Sequence, residues 1–556
     1  MHTETRSPIV TTRQGRIQGL RENALDIFRG IPYARPPVGS LRFRNPQPLS
    51  PWEGIRNAVA SGPASFQMNL NNTHAVMAQV KRIDPGVPGV PAWPAYVGKT
   101  YHHENISEDC LYLDVWVPEN AGGKKLPVYV YYHGGANAVS SGSFHLEDGA
   151  NLARQENIIV VRPNYRLGAL GWVHLGLISD AFPEAINLGL KDQLAALQWV
   201  HENIAAFGGD PDNVTIGGES CGATAVSHLL TYAPARKFFR RAIIQSLSPF
   251  NVWCTQNQAQ AVRVAEKYLS LLDISSPEAL ADIDPEHFLA VQNVLTRFFH
   301  PDKNIAWRPL GGVVDGEWIP QHPAEYLSSH AAADTVNELM IGFAKDEWQF
   351  FRGHTETLRH GGVQDVLDVL TPIYGSDGAQ QLYEGYTELY PEHREPGHIL
   401  SNIMSFEFFK FSSLKIARHF TRLGVPTWLF QFSYDLPGWG GELRAVHTGD
   451  MPFLWRNYDP ERLSQWPAFD GIDIDELKHS AGAMGNYYAA FIRHGGEDLW
   501  PKFDEENQAI LRFGKEVIPQ KRLLEQEEKL FSAVGIDSVR QLEERLSQHL
   551  EQAFKE

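Results

Sequence analysis

The sequence predicts an α/β architecture: one large, mostly parallel central sheet with helices on both faces and helical insertions capping the sheet's functional edge. Two observations carry this. From Leu111 onward short apolar runs alternate with stretches of helical periodicity, and strands broken by helices at that interval pair in parallel and need cover on both sides. In the middle of this pattern Val214-Thr215-Ile216 runs through Gly217-Gly218-Glu219-Ser220-Cys221-Gly222 into a helix-compatible segment, which reads as strand, sharp turn and helix.

Taken in order, residues 9–63 are rich in glycine, proline and aromatics and suit short strands and turns. The stretch around 84–94 has a proline every third residue and reads as a long surface loop near the mouth of a pocket. Strands follow at 111–116, 127–132 and 158–162, then a helix over 188–206 in which Leu190, Leu194, Leu197 and Val200 recur at helical spacing. Further strands are predicted at 242–246, 338–343 and 426–434, with mainly helical insertions at about 256–299 and 355–423. These elements make one catalytic domain over 8–515, followed by a charged helical extension over 519–556. In that extension Ser538 and Gln541 form a capping box, and Val539, Leu542, Leu546, Leu550 and Ala553 form an apolar stripe. Two readings of the stripe stay open, a helical hairpin packed on the body and a homodimer contact.

The chain has 556 residues, 43% hydrophobic and 21% charged, which suits a globular protein with a large core. A formal charge of −17 argues against nucleic acid or an anionic membrane as partner, because phosphate binding draws on clustered Lys and Arg. The first seven residues are polar and lead directly into Ile9-Val10, and nothing approaches the roughly 18 apolar residues of a membrane span. Cys110, Cys221 and Cys254 are too few and too scattered for a disulfide framework or a zinc site. The expectation is a cytoplasmic protein without metal or cofactor.

A serine hydroxyl needs a base to become a nucleophile, and that base is most often a histidine oriented by a carboxylate. With Ser220 at the turn, partners should lie on loops after later strands. Beyond the strand at 338–343 stand Asp346 and Glu347, and either could orient an imidazole. Among 22 histidines His447 stands out, since it follows the strand at 426–434 after a glycine-rich loop. The developing oxyanion needs donors. In Tyr132-His133-Gly134-Gly135-Ala136 the glycines leave backbone N–H groups unshielded, and the N–H of Cys221 would complete the hole.

The set of motifs resembles the type-B carboxylesterases, the cholinesterase-like branch of the α/β-hydrolase fold. The likeness covers about 9–513 and rests on the Phe28-Arg29-Gly30-Ile31-Pro32-Tyr33 stretch, Ser107-Glu108-Asp109-Cys110-Leu111, His133-Gly134-Gly135-Ala136, Asn164-Tyr165-Arg166-Leu167-Gly168, Leu190-Lys191-Asp192-Gln193, the Ser220 elbow, Asp346-Glu347 and His447. It implies a triad of Ser220, Glu347 and His447, an oxyanion hole of Gly134, Gly135 and Cys221, and two structural ion pairs, Arg42 with Glu108 and Arg166 with Asp192. There are departures. The cysteine that many secreted members place upstream, near Gln67 or Met68, to pair with the one at Cys110 is absent; Cys221 replaces alanine, and Leu247 and Trp348 stand where glycine is usual. The last two are expected to wall the substrate pocket. The implied activity is hydrolysis of small-molecule carboxylic esters through an acyl-enzyme, with short acyl groups or bulky alcohols preferred. Two rivals share the fold: a non-catalytic interaction protein, and an esterase dedicated to one lactone, amide or carbamate.

Overall fold

Thirteen strands hydrogen-bond into one sheet. They are β1 (Thr5–Thr11), β2 (Arg16–Glu22), β3 (Leu25–Pro32), β4 (Ile55–Asn57), β5 (Tyr112–Pro118), β6 (Leu126–Tyr132), β7 (Ile159–Pro163), β8 (Gly209–Glu219), β9 (Arg241–Gln245), β10 (Glu338–Ala344), β11 (Thr427–Phe432), β12 (Ala509–Phe513) and β13 (Val517–Lys521). The computed structural model describes residues 5–69, 71–85, 105–119, 123–247, 255–274, 276–298, 310–328, 334–352, 359–393, 395–497 and 499–553. Across the sheet the order is β1-β2-β3-β5-β7-β6-β8-β9-β10-β11-β12-β13, with β4 beside β2. From β7 to β12 every neighbour is parallel, whereas β1, β2, β3 and β5 run as an antiparallel meander up to β7, and β13 closes the other edge antiparallel.

The alternation of side chains along β6 explains the layering. Val128, Val130 and Tyr132 join the apolar core on one face, and Tyr129 and Tyr131 join the core on the other. All five are fully buried, as expected for a parallel strand covered on both sides. The first face is covered by α2 (Leu188–Asn203) and α3 (Cys221–Thr231), the second by α9 (Ile474–His494). α1 (Thr73–Ile83) precedes them in the chain, and between α3 and α9 come the insertion helices α4 (Gln258–Leu272) and α5 (Pro285–Phe298) and the long helices α6 (Val363–Leu389), α7 (Pro396–Ser405) and α8 (Phe411–Arg422). A π-helical turn, Phe406–Lys410, joins α7 to α8. Two buried ion pairs tie the outer loops to this body. Arg42 grips Glu108 with two hydrogen bonds of 2.6 and 2.5 Å, and Arg166 grips Asp192 with two of 2.7 and 2.8 Å.

The C-terminal part differs from the sequence reading. β13 extends the sheet past 515, and α10 (Glu525–Ala533) and α11 (Val539–Ala553) pack on α6. Phe531 lies 4.8 Å from the Phe406 ring, and Leu524, Ile536, Val539, Leu542 and Leu546 are buried in the main core. The apolar stripe is therefore covered by the chain itself over these residues. The segment's apolar residues are spread among many charges, yet Leu524, Phe531, Ile536, Val539, Leu542 and Leu546 all fall on the inward face. The side chains of Leu550 and Ala553, most of the proline-rich loop and Cys254 lie outside the described residues.

Candidate active site

β8 ends at Glu219, and Ser220 turns the chain with φ 56° and ψ −124° before Cys221 opens α3. That backbone conformation is strained for a residue with a side chain, and the surroundings hold it. The Ser220 N–H donates to the Gln245 carbonyl at 3.0 Å, locking the turn to the neighbouring strand. The flanking glycines leave no room for alternatives: a Cβ at Gly218 would lie 2.3 Å from the Gly222 carbonyl, and one at Gly222 only 1.9 Å from the Tyr132 oxygen. The hydroxyl is thereby presented beyond the ends of the parallel strands.

His447 and Glu347 reach it from loops after β11 and β10. The imidazole Nε2 stands 3.0 Å from Ser220 Oγ, and Nδ1 stands 2.5 Å from Glu347 Oε2. Glu347 Oε1 accepts the Ala344 N–H at 2.7 Å, so the carboxylate is fixed at both ends. Asp346, the other candidate acid, points elsewhere, with its oxygens 4.0 Å from Lys345 Nζ and from an Arg444 nitrogen. The loop carrying Gly134 and Gly135 passes beside the serine: a Cβ at Gly134 would lie 3.2 Å from Ser220 Cβ. Among the described residues neither the Gly134 nor the Gly135 N–H has an acceptor, and Cys221 places its N–H at the first position of α3. His133 stacks on Tyr165 at 4.4 Å, and the Tyr165 hydroxyl donates to the His133 carbonyl at 2.6 Å.

Several residues here were not singled out from sequence. Glu219 Oε1 lies 3.3 Å from His447 Nε2, and burial pushes its carboxyl well above the usual range, reinforced by Asp450, Glu347 and Glu147. Asp450 accepts a short hydrogen bond from Gln245, whose Oε1 takes the Tyr488 hydroxyl at 3.0 Å; burial raises Asp450 to about 7. Around the imidazole stand Phe350, Phe351 and Phe409, with ring centroids 5.6, 5.5 and 5.2 Å away. Phe350 and Phe351 follow Glu347 by three and four residues, about one helical turn, and that spacing could have marked them.

Leu247 and Trp348 do not present surface to the serine. Leu247 is fully buried, and Trp348 is 2% exposed, its ring 4.8 Å from Phe351 and 4.7 Å from Phe408. The Trp348 N–H donates to Ser405 Oγ at 2.9 Å, which turns the indole into the core, so it backs the aromatic wall. Cys110 is a free, buried thiol. Residues Ala64–Ser65 pair with Ile106–Ser107, and it is Ser65 that hydrogen-bonds the Cys110 thiol, which burial pushes up to about 12. Gln67 and Met68 face other partners, the Ser140 backbone and Asn293. Among the described residues no group of three His, Cys, Asp or Glu side chains is arranged to hold a metal ion, and no helix is long and apolar enough to cross a membrane.

A serine on a strained strand-to-helix elbow, at the end of a mainly parallel sheet covered by helices on both faces, defines an α/β-hydrolase. Residues 6–532 match the carboxylesterase family. The chain is 30% identical over 551 residues to the para-nitrobenzyl esterase of Bacillus subtilis (strain 168), covering 95% of this chain and 99% of that one. It is 32% identical over 519 residues to the phenmedipham hydrolase of Pseudarthrobacter oxydans, covering 92% and 95%. A crystal structure of a Geobacillus stearothermophilus carboxylesterase superposes with a TM-score of 0.77 at 31% identity, over 94% of this chain and all (100%) of that one. The chain belongs to the carboxylesterase family and is a serine carboxylic ester hydrolase.

Proposed function

We propose that Ser220, His447 and Glu347 act as the catalytic triad on small-molecule esters with short acyl groups and bulky or aromatic alcohols. The observation that carries this reading is the continuous contact from Ser220 Oγ through His447 to Glu347 at 3.0 and 2.5 Å. His447 Nε2 takes the serine proton as Oγ attacks the ester carbonyl, and Glu347 holds the ring in the tautomer with the proton on Nδ1. Negative charge developing on the carbonyl oxygen meets the N–H groups of Gly134, Gly135 and Cys221. The imidazolium then protonates the leaving alkoxide. Water, deprotonated by the same nitrogen, attacks the acyl-enzyme, and release of the acid restores Ser220.

The short-acyl preference is supported by the aromatic wall around His447, with Trp348 behind Phe351. Each methylene forced against a filled wall costs about 1 to 3 kcal/mol, roughly tenfold or more in kcat/KM. The aromatic-alcohol preference is supported by the relative named para-nitrobenzyl esterase. A cytoplasmic location is part of the same reading, supported by Cys110 being a free thiol with no cysteine upstream of it.

The test is a series of p-nitrophenyl esters from acetyl to decanoyl. Acetyl and butyryl should outpace decanoyl by at least tenfold in kcat/KM, and Ser220→Ala should lower every rate by roughly 10⁴ or more. A decanoyl preference would remove the short-acyl assignment, and an Ala variant keeping a tenth of the activity would remove Ser220 as nucleophile.

A further inference from the structure

The Gly134–Gly135 loop is held in a conformation that its own sequence does not favour. After Gly135 at φ 100°, Ala136 and Asn137 both sit in the left-handed region at 58° and 56°, and Ser140 sits at 83°. Side-chain-bearing residues adopt such angles at a cost and keep them only where the surroundings over-determine the chain. The loop's internal contacts are two hydrogen bonds, from the N–H groups of Ala138 and Val139 to the Gly135 carbonyl, both 3.0 Å. These close the turn on itself, and Asn137 ties its middle to the body: its carbonyl accepts the Gly168 N–H at 2.6 Å and its Nδ2 donates to the Leu310 carbonyl at 3.1 Å.

At Ser140, the far end of the strained run, the tie comes from a residue 73 positions earlier in the chain. Gln67 is fully buried, and its carboxamide grips the Ser140 backbone from both sides: Oε1 accepts the Ser140 N–H at 2.9 Å, and Nε2 donates to the Ser140 carbonyl at 2.9 Å. The second N–H of Nε2 is used as well, on the Ser65 carbonyl at 2.9 Å. Gln67 is in turn held by Asn72, whose Nδ2 donates to the Gln67 carbonyl at 3.0 Å and whose Oδ1 accepts the Asn69 N–H at 2.8 Å. Ser65 is anchored by its strand pairing to Ile106–Ser107 and by the Leu167 N–H on its hydroxyl. The clamp is thus mounted on a hydrogen-bonded base and holds the strained loop at Ser140.

We propose that Gln67 is a positioning residue for ester hydrolysis: by clamping Ser140 it fixes the strained turn after Gly135, so that the Gly134 and Gly135 N–H groups stay aimed at the oxyanion that forms beside Ser220. The proposal rests on the oxyanion-hole reading given above. Donors of this kind act through pre-organisation, so loosening them weakens transition-state binding while leaving ground-state binding nearly untouched.

The experiment compares wild type with Gln67→Met, which keeps the length and removes all three hydrogen bonds, and Gln67→Glu, which retains an acceptor for the Ser140 N–H. Rates on p-nitrophenyl acetate are normalised to active sites titrated with an organophosphate, and the affinity of an alkyl trifluoromethyl ketone, which forms a tetrahedral adduct on the serine, is measured beside that of the parent methyl ketone. Gln67→Met should lose about 30- to 100-fold in kcat per titrated site with KM within threefold, and the trifluoromethyl ketone should weaken by a matching factor while the methyl ketone does not. Gln67→Glu should fall between the two, and it carries the test alone if the Met variant does not fold. A purely structural Gln67 would lower the number of titratable sites and leave kcat per site and ketone affinity within twofold, which overturns the proposal. If wild type itself binds the trifluoromethyl ketone no better than the methyl ketone, the oxyanion reading fails first.

Discussion

Two fully buried carboxylates flank one imidazole, and their surroundings give them opposite characters. Glu347 has a backbone N–H on one oxygen and the His447 Nδ1 proton on the other. Glu219 sits 3.3 Å from the other ring nitrogen with no hydrogen-bond partner on Oε1, and three further carboxyls, of Asp450, Glu347 and Glu147, act on it. Burial and the neighbouring carboxylates push the Glu219 carboxyl well above its usual range, whereas both oxygens of Glu347 face hydrogen-bonding nitrogens. Donors, rather than nearness to the histidine, set the two carboxyls apart.

The comparison can be broken most severely at Glu347. Glu347→Gln should lower kcat by about 10³ to 10⁴, since the amide cannot hold the productive tautomer, while Asp346→Asn should stay within a few-fold. Steady-state kinetics on p-nitrophenyl acetate checks the ranking, and its reversal would transfer the role to Asp346. Glu219→Gln keeps the side chain's shape and removes a carboxyl whose burial already disfavours the charged form, and it should cost less than tenfold in kcat under the same assay. A loss comparable with that of Glu347→Gln would mean that Glu219 works as a carboxylate.

The smallest effect concerns stability. Asp450 is raised from its ordinary 3.8 to about 7, chiefly by burial. Its folded state holds the proton more tightly than its unfolded state, so the stability it contributes is fully present below about pH 4 and is lost as pH rises towards 7. Asp450→Asn removes that dependence. The gap in unfolding free energy between the variant and wild type should widen by up to about 2 to 4 kcal/mol between pH 4 and pH 8. Denaturant titrations at the two pH values measure it, and a gap that does not change would show Asp450 to be ionised in the fold throughout.

The parallel centre of the sheet was legible because each strand is a short β-branched or aromatic run between helices, and the elbow because Gly218 and Gly222 leave a signature that only a close-packed turn requires. Asp346 and Glu347 could not be separated on residue type, since both follow the strand and only the turn's geometry sends one to His447 and the other towards Lys345 and Arg444. Leu247 and Trp348 were misplaced for a related reason. A bulky residue beside a catalytic one suggests a wall, but the backbone turn at 347–348 aims the indole behind Phe351. Cys110 was legible as an unpaired thiol, since the sequence has no cysteine upstream of it, while its contact with Ser65 depends on the strand pair that only the fold supplies.

Lys410 and Glu527 form an ion pair at 3.3 Å in which both side chains are 3% exposed. Lys410 belongs to the same π-helical turn that carries Phe409 to His447, and its counter-charge lies 117 residues further along the chain. A buried ammonium without its partner is strongly unfavourable. While the protein is being made at about 5 to 20 residues per second, the wall beside the histidine therefore waits several seconds for its counter-ion after its own residues have been synthesised. The packing of the wall beside the histidine thus depends on a charge contributed from far along the chain.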